Sequence, residues 1–123
     1  MAATITNILG ESIMNTLQTL IKAIEKRKPI KFEYNKVGKV EGIRVGHPHA
    51  IFIFTTKTTR IQSTKVHIVQ TDGVSDTNAK NEFRTFDIKE ISNIQCMEDE
   101  GSFQTDERYN PNWEGYANVI AKI

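Results

Sequence analysis

The sequence predicts a mainly β, α+β domain: an N-terminal helix, then a small, strongly bent five-stranded barrel, then an aromatic C-terminal tail. Three observations predict it. Apolar residues at helical spacing run as far as Ile24 and stop before Pro29. From Ile30 the apolar period drops to two, and short runs of that kind recur as far as Ile94 between turn residues. The chain has 123 residues, enough for one domain and too few for two ordinary ones. A globule of that size buries roughly two-thirds of its unfolded surface and can hold a core without metal or disulfide staples.

Residues 1–10 end in Gly10 without a clear period and read as an arm. Ile13, Leu17, Leu20, Ile21 and Ile24 then form one stripe, which predicts a helix over 11–28. Lys26, Arg27 and Lys28 crowd its last turn, where cations complement the helix dipole, and Pro29 ends it. Ile30, Phe32 and Tyr34 alternate with Lys31, Glu33 and Asn35 as a half-buried strand. A turn at Val37-Gly38-Lys39 leads to a hairpin partner over 40–45. Ala50 to Phe54 is apolar on both faces and predicts a central strand covered on both sides. A Thr-rich connection over 55–64 leads to a strand over 66–71, closed by Asp72-Gly73. A polar loop over 74–82 precedes a fifth strand over 83–88, and Ile91 and Ile94 follow as a last turn or strand. This places one domain in 1–97, its barrel in 30–95. Residues 98–123 form an acidic, aromatic extension that docks on the barrel or on a second copy, because Phe103, Tyr109, Trp113 and Tyr116 are too large and apolar to stay free.

Charge is unevenly spread. Residues 22–60 hold ten Lys or Arg against Glu25, Glu33 and Glu41, whereas residues 95–123 hold six acids against Arg108 and Lys122. The basic half fits an anionic partner; equally, the two halves can attract one another within a monomer. No apolar run approaches the roughly 18 residues of a membrane span and no leader opens the chain, so no membrane partner is expected. The lone Cys96 excludes an internal disulfide and suits a cytoplasmic protein.

Within these elements Arg84, Phe86 and Ile88 share strand parity, so a guanidinium emerges beside an aromatic ring. A guanidinium offers paired donors to phosphate, and a ring offers a surface on which a base stacks. Arg44 and Tyr34 lie on neighbouring strands. The competing reading puts Phe86 in the core and pairs Arg84 with Glu33 or Glu41. In the Thr-rich connection, Lys57, Arg60 and the hydroxyls offer an accessory phosphate contact, without the glycines or following helix of a P-loop. His47, His49 and His67 lack a fourth ligand of convincing spacing, so no metal and no cofactor are expected. No nucleophile stands beside a base and no paired carboxylates face a cleft, so the chain does not read as an enzyme.

Three stretches together resemble the WYL domain family. They are Ile30-Lys31-Phe32-Glu33-Tyr34 after a helix ending in Leu20 to Ile24, then Arg44-Val45 with His47-Pro48-His49, then Arg84-Thr85-Phe86-Asp87-Ile88 running into Ile91. The resemblance covers roughly residues 20–94, and the tail with Tyr109-Asn110-Pro111 and 116–123 is similar to the endings of short stand-alone members. It implies an SH3-like, Sm-like barrel in a bacterial or phage-borne regulatory module that binds a nucleotide or single-stranded nucleic acid. It makes Arg84 and Phe86 ligand-facing, with Arg44 beside them; Tyr34, Lys65 and His67 join Lys57 and Arg60 as further binding candidates of the basic face. The chain departs from the family by lacking the Trp-Tyr-Leu tripeptide, whose strand corresponds to Lys65 to Ile68, and the DNA-reading helices that usually precede this domain. The other expectation is a protein–protein module that forms homo-oligomers through Tyr109, Trp113 and Tyr116 and takes no small ligand.

Overall fold

The computed structural model describes the backbone from Ala2 to Ile123 and the side chains from Ser12 onward. Helix α1 (Ala2–Lys26) is followed by strands β1 (Ile30–Tyr34), β2 (Ile43–Thr55), β3 (Gln62–Gly73) and β4 (Glu82–Asp87). A 3-10 turn (Ile88–Glu90) leads into β5 (Ile91–Cys96), and a second (Glu114–Tyr116) precedes β6 (Val119–Lys122). All pairings are antiparallel, in the order β4-β3-β2-β1-β5, and β6 pairs with β2.

The expected closed five-stranded barrel, of SH3-like or Sm-like type, is corrected to an open sheet. β4 and β5 are its two ends and do not pair. The 3-10 turn redirects the chain at Asp87, and β5 then pairs through one edge with β1, Tyr34 facing Ile91 and Ile30 facing Cys96, while its other edge meets no strand among the described residues. Side chains alone bridge the gap, with the Asp87 backbone N–H donating to the Tyr34 hydroxyl at 3.0 Å.

The strands expected over 40–45 and 50–54 are one thirteen-residue strand, β2. Pro48 cannot donate to a ladder, and the register to β3 shifts between Pro48 and Ala50, so a bulge absorbs it without ending the strand. Helix α1 covers residues 2–10, where an arm is expected. Ile5 and Leu9 extend the stripe of Ile13 and Leu17 at four-residue intervals, and one glycine costs a helix only about 1 kcal/mol. At the other end α1 stops at Lys26, two residues early. Arg27 takes a left-handed conformation (φ 54°), its N–H reaching the Ile24 carbonyl and that of Lys28 the Ala23 carbonyl. This is the Schellman pattern with arginine where glycine is usual. The tail holds it: the Phe103 N–H donates to the Arg27 carbonyl at 2.8 Å and Arg27 Nη1 to Thr105 Oγ1 at 2.9 Å.

The main core joins Leu20, Ala23 and Ile24 of α1 to Ile30, Phe32 and Tyr34, to Ile51, and to Val66, Ile68 and Phe86. On the other face of the sheet Ala50 and Phe52 meet Tyr116 and Tyr109. The centre of β2 is therefore covered on both sides, by the helix core and by the tail. Among the described residues no helix is long and apolar enough to cross a membrane.

Gly73 lies opposite Arg44 with φ +93°, and a β-carbon there would strike the Ile43 carbonyl oxygen and come within 2.7 Å of the Arg44 α-carbon. Gly73→Ala should therefore destabilise the domain by about 2 kcal/mol or more, combining strained backbone with a backbone clash. Urea unfolding followed by circular dichroism measures this, and an unchanged midpoint would contradict the turn geometry.

Candidate functional site

Tyr34, Arg44, Arg84 and Phe86 come from three strands, β1, β2 and β4, and meet at one cleft of about 390 Å³. It opens where the sheet fails to close, between β4 and the loop after β1. Strand alternation puts Arg84 and Phe86 on the face that carries Val66 and Ile68, and Gln70 follows at the same parity. Lys36 and Lys39 rise from the loop on one side, with Asp76 and Glu82 on the other. Four cations thus face two carboxylates.

Both guanidinia converge on one neutral atom. Arg44 Nη1 and Arg84 Nη1 donate to Gln70 Oε1 at 3.1 and 3.2 Å. The Gln70 amide is fixed because its Nε2 donates to the Val74 carbonyl at 2.8 Å. Arg44 is 1% exposed; its Nη2 donates to the Val40 carbonyl at 3.1 Å and lies 3.5 Å from the Asp76 carboxylate. Its guanidinium lies 5.8 Å from the Tyr34 ring centre and 5.7 Å from that of Phe86. The Arg44 Nε–H is buried with no acceptor among the described residues. An orphan donor of that kind costs about 1–3 kcal/mol. Arg84 Nη2 holds the loop before β4, donating to Ser75 Oγ at 2.8 Å and Thr77 Oγ1 at 3.0 Å, while Nε donates to Glu82 at 3.0 Å.

Each part of the two readings of Arg84 and Phe86 has a place in this geometry. Phe86 is a core residue, edge-on to Phe32 at 5.2 Å and to Tyr34 at 4.8 Å. Arg84 pairs with Glu82 rather than with Glu33 or Glu41, and it lines the cleft. Lys36, Lys39 and Asp76 line the cleft, and the buried Gln70 joins its two arginines, without having been picked out from sequence. Gln70 alone had a visible signal, a polar residue continuing the inward parity of Val66 and Ile68.

Lys65 and His67 alternate with that set and face the other side of the sheet. Lys65 bonds to Asp87, whose second oxygen accepts from Lys36 Nζ at 3.0 Å. Burial works to raise the Asp87 carboxyl, but the Lys65 and Lys36 hydrogen bonds outweigh it and leave it below the usual carboxylate range. Lys57 and Arg60 sit in the β2–β3 turn. Arg44 lies eleven residues from Thr55 along β2, roughly 36 Å, so the structure does not bring them to the cleft. There Thr56 bonds to Thr59, and its Oγ1 accepts from the Ile61 N–H at 3.0 Å; these hydroxyls shape the turn.

The tail docks on its own domain. Tyr116 is buried with its hydroxyl 2.6 Å from His67 Nδ1, Tyr109 donates to the Ile123 carbonyl at 2.9 Å, and Trp113 stands edge-on to Phe52 at 5.7 Å. Glu98 reaches back to Lys22 at 2.7 Å and Lys26 at 3.3 Å, so the acidic segment answers part of the basic half. Exposed pairs of this kind are screened by water and hold the tail only weakly.

The histidines serve the tail. His47 stacks on Phe103 at 4.6 Å. His49 donates from Nδ1 to the His47 carbonyl at 2.8 Å and accepts the Asp106 N–H at Nε2, at 3.0 Å. Among the described residues no group of His, Cys, Asp or Glu is arranged to hold a metal ion. No protein-family model matches this chain, and no curated protein matches it.

Burial lowers all three histidines, His67 to about 4, with His49 adding to it for His47 and His67. At His49 the Arg27 and Arg108 charges add to this, against the His47 carbonyl and Asp106, which favour the charged form. Their unfolded values lie near 6.5, so in the interval below that the unfolded chain binds more protons than the folded one. The stability they contribute is complete above about pH 6.5 and declines as pH falls toward 4. Protonation of His49 also replaces the acceptor for Asp106. Melting temperatures taken from pH 7 down to about 4.5 should fall, with His67→Phe flattening the decline; a pH-independent melt of the parent would refute the account.

Proposed function

We propose that the chain is a non-catalytic cytoplasmic binding module of the WYL kind that takes a nucleotide or single-stranded nucleic acid through phosphate at the Arg44–Arg84 cleft. The convergence of two guanidinia on Gln70 Oε1 carries this reading. Two like charges held that close, one of them almost wholly withdrawn from water, repel strongly in a low-dielectric setting. Asp76 and Glu82 counter the two arginines and Asp87 holds Lys36, which leaves Lys39 as the cation of the cleft with no ion pair among the described residues. A phosphate oxygen at the mouth would relieve the remainder, with charge-assisted bonds from Arg84 and the lysines. The Tyr34 and Phe86 rings floor the cleft, and its volume lies within the range of small-ligand sites. Arg84 and Phe86 are also the positions at which the WYL resemblance expects ligand contact. No catalytic pair accompanies them in the cleft, where the carboxylates serve as counter-charges.

Arg84→Gln should weaken binding of nucleotides or oligonucleotides about ten- to a hundredfold, the value of a charge-assisted contact. Its salt dependence should flatten by about one phosphate contact. Because Arg84 also anchors the preceding loop, Lys39→Gln is the companion variant; Lys39 is exposed and forms no ion pair among the described residues. Titration calorimetry at two salt concentrations reads both. Parent-like affinity and salt slope in both variants would overturn the assignment.

Self-association is a second reading, favoured by one observation. A groove of about 390 Å³ between α1 and the β2–β3 hairpin has an apolar wall of Ile13, Leu17, Ile53 and Ile88, with Ile13 44% exposed, and a polar rim that includes Gln62, Asp87 and Lys89. Sedimentation should then show a concentration-dependent dimer that Ile13→Asp removes, and a monomer at all concentrations would dispose of it.

A further inference from the structure

We propose that the preferred ligand is a single-stranded oligonucleotide that passes around the free edge of β4, its backbone in the Arg84 cleft and one base stacked in a second pocket on the opposite face. The inference rests on the phosphate-binding reading of the cleft and narrows it from nucleotides in general to a strand.

The second pocket measures about 190 Å³ and is walled by Phe52, Phe54, His67 and Trp113, with Lys65 and Thr85 at its rim. Phe54 is 45% and Trp113 41% exposed, two large aromatic surfaces left open side by side. Trp113 is held ready: it stands perpendicular to Phe52 and to Tyr116, at 5.7 and 5.1 Å. Gly115 lies directly against its ring, where any β-carbon would collide with the indole. His67 is kept neutral by burial, so the walls are apolar and uncharged. No carboxylate lines the space, which argues against a cationic occupant, and Lys65 at its rim is held by the Asp87 carboxylate. The space accommodates one planar ring, and aromatic walls of this kind hold bases by stacking without reading their identity.

The two pockets are continuous around one strand. Thr85 lines both, and β4 ends the sheet order, so no strand of the described residues covers its outer edge. Successive residues Arg84 and Thr85 point to opposite faces. A ligand touching both pockets must therefore round a strand, which spans about 5 Å, together with its side chains. The single sugar between the base and phosphate of a mononucleotide is too short for that, whereas a strand of several nucleotides reaches. The arginine cleft complements its backbone and the aromatic pocket complements its base.

Trp113 is the sole tryptophan, so intrinsic fluorescence reports the second pocket directly. The parent chain and Phe54→Ala, an exposed position whose loss leaves both cores intact, would be titrated with thymidine monophosphate and with an oligothymidylate of about six nucleotides. The expected result is saturable quenching by the oligonucleotide, at least about tenfold tighter binding than the monophosphate, and a roughly 5- to 150-fold loss of oligonucleotide affinity in Phe54→Ala with monophosphate affinity unchanged. Equal affinity for the two probes, with silent fluorescence and a neutral Phe54→Ala, would overturn this inference and leave the cleft reading standing. Binding of neither probe would overturn both.

Discussion

Antiparallel pairing to β2 is the constraint on which the rest of the molecule depends. One edge of this thirteen-residue strand is bonded to β3 along nearly its whole length, and the other is divided, with β1 opposite residues 43–46 and β6 opposite 50–52. Breaking β2 at Pro48 would separate the half that carries Arg44 from the half that carries Phe52. The bulge keeps them in one strand, which places the cationic cleft and the aromatic pocket in one rigid frame. The same division gives the tail its anchorage, because the edge beyond β1 is left for β6 and the Ile123 N–H bonds to the His49 carbonyl at 3.0 Å.

The open sheet follows from how the strand edges are used. β5 pairs through one edge with β1 and its other edge does not meet β4, so β4 keeps one edge without a strand partner among the described residues, and the gap is spanned by the Tyr34 hydroxyl and by Lys36 on Asp87. A closed sheet would fill that gap with backbone hydrogen bonds. Left open, it becomes the mouth of the cleft. The buried Arg44 rests against Tyr34 and Phe86, ring faces that suit a poorly hydrated guanidinium, and shares Gln70 with Arg84. The polar network thus rigidifies the floor and leaves Lys39 at the mouth without an ion pair among the described residues.

The tail's role is equally physical. Its aromatic residues cover the face of β2 and β3 that the helix cannot reach, and its backbone secures the left-handed Arg27 at the end of α1. Three neutral histidines, rather than aliphatic residues, line that contact. This couples tail docking to protons in a range where the ordinary carboxylates are still charged.

Much of this was legible in local pattern. The alternation of Ile30, Phe32 and Tyr34, the two-faced apolar run at Ala50 to Phe54 and the parity of Arg84 with Phe86 fix which residues point inward, because side-chain period is a property of the strand itself. They also brought Tyr34, Arg44, Arg84 and Phe86 forward before any of them could be placed. What local pattern could not carry was pairing. Whether Pro48 ends a strand or sits in a bulge depends on what the partner strand does opposite it. Whether β4 meets β5 depends on how the turn between them aims β5 at β1, and whether Tyr116 meets its own His67 depends on the path of a distant segment. By itself the sequence determined the helix, the strand faces and the charge asymmetry, since each arises from neighbours in the chain. Only the tertiary structure decided that the sheet stays open, that Gln70 joins two arginines and that Trp113 and Phe54 border one pocket. Those outcomes depend on hydrogen bonds and packing between residues tens of positions apart, which no local period encodes.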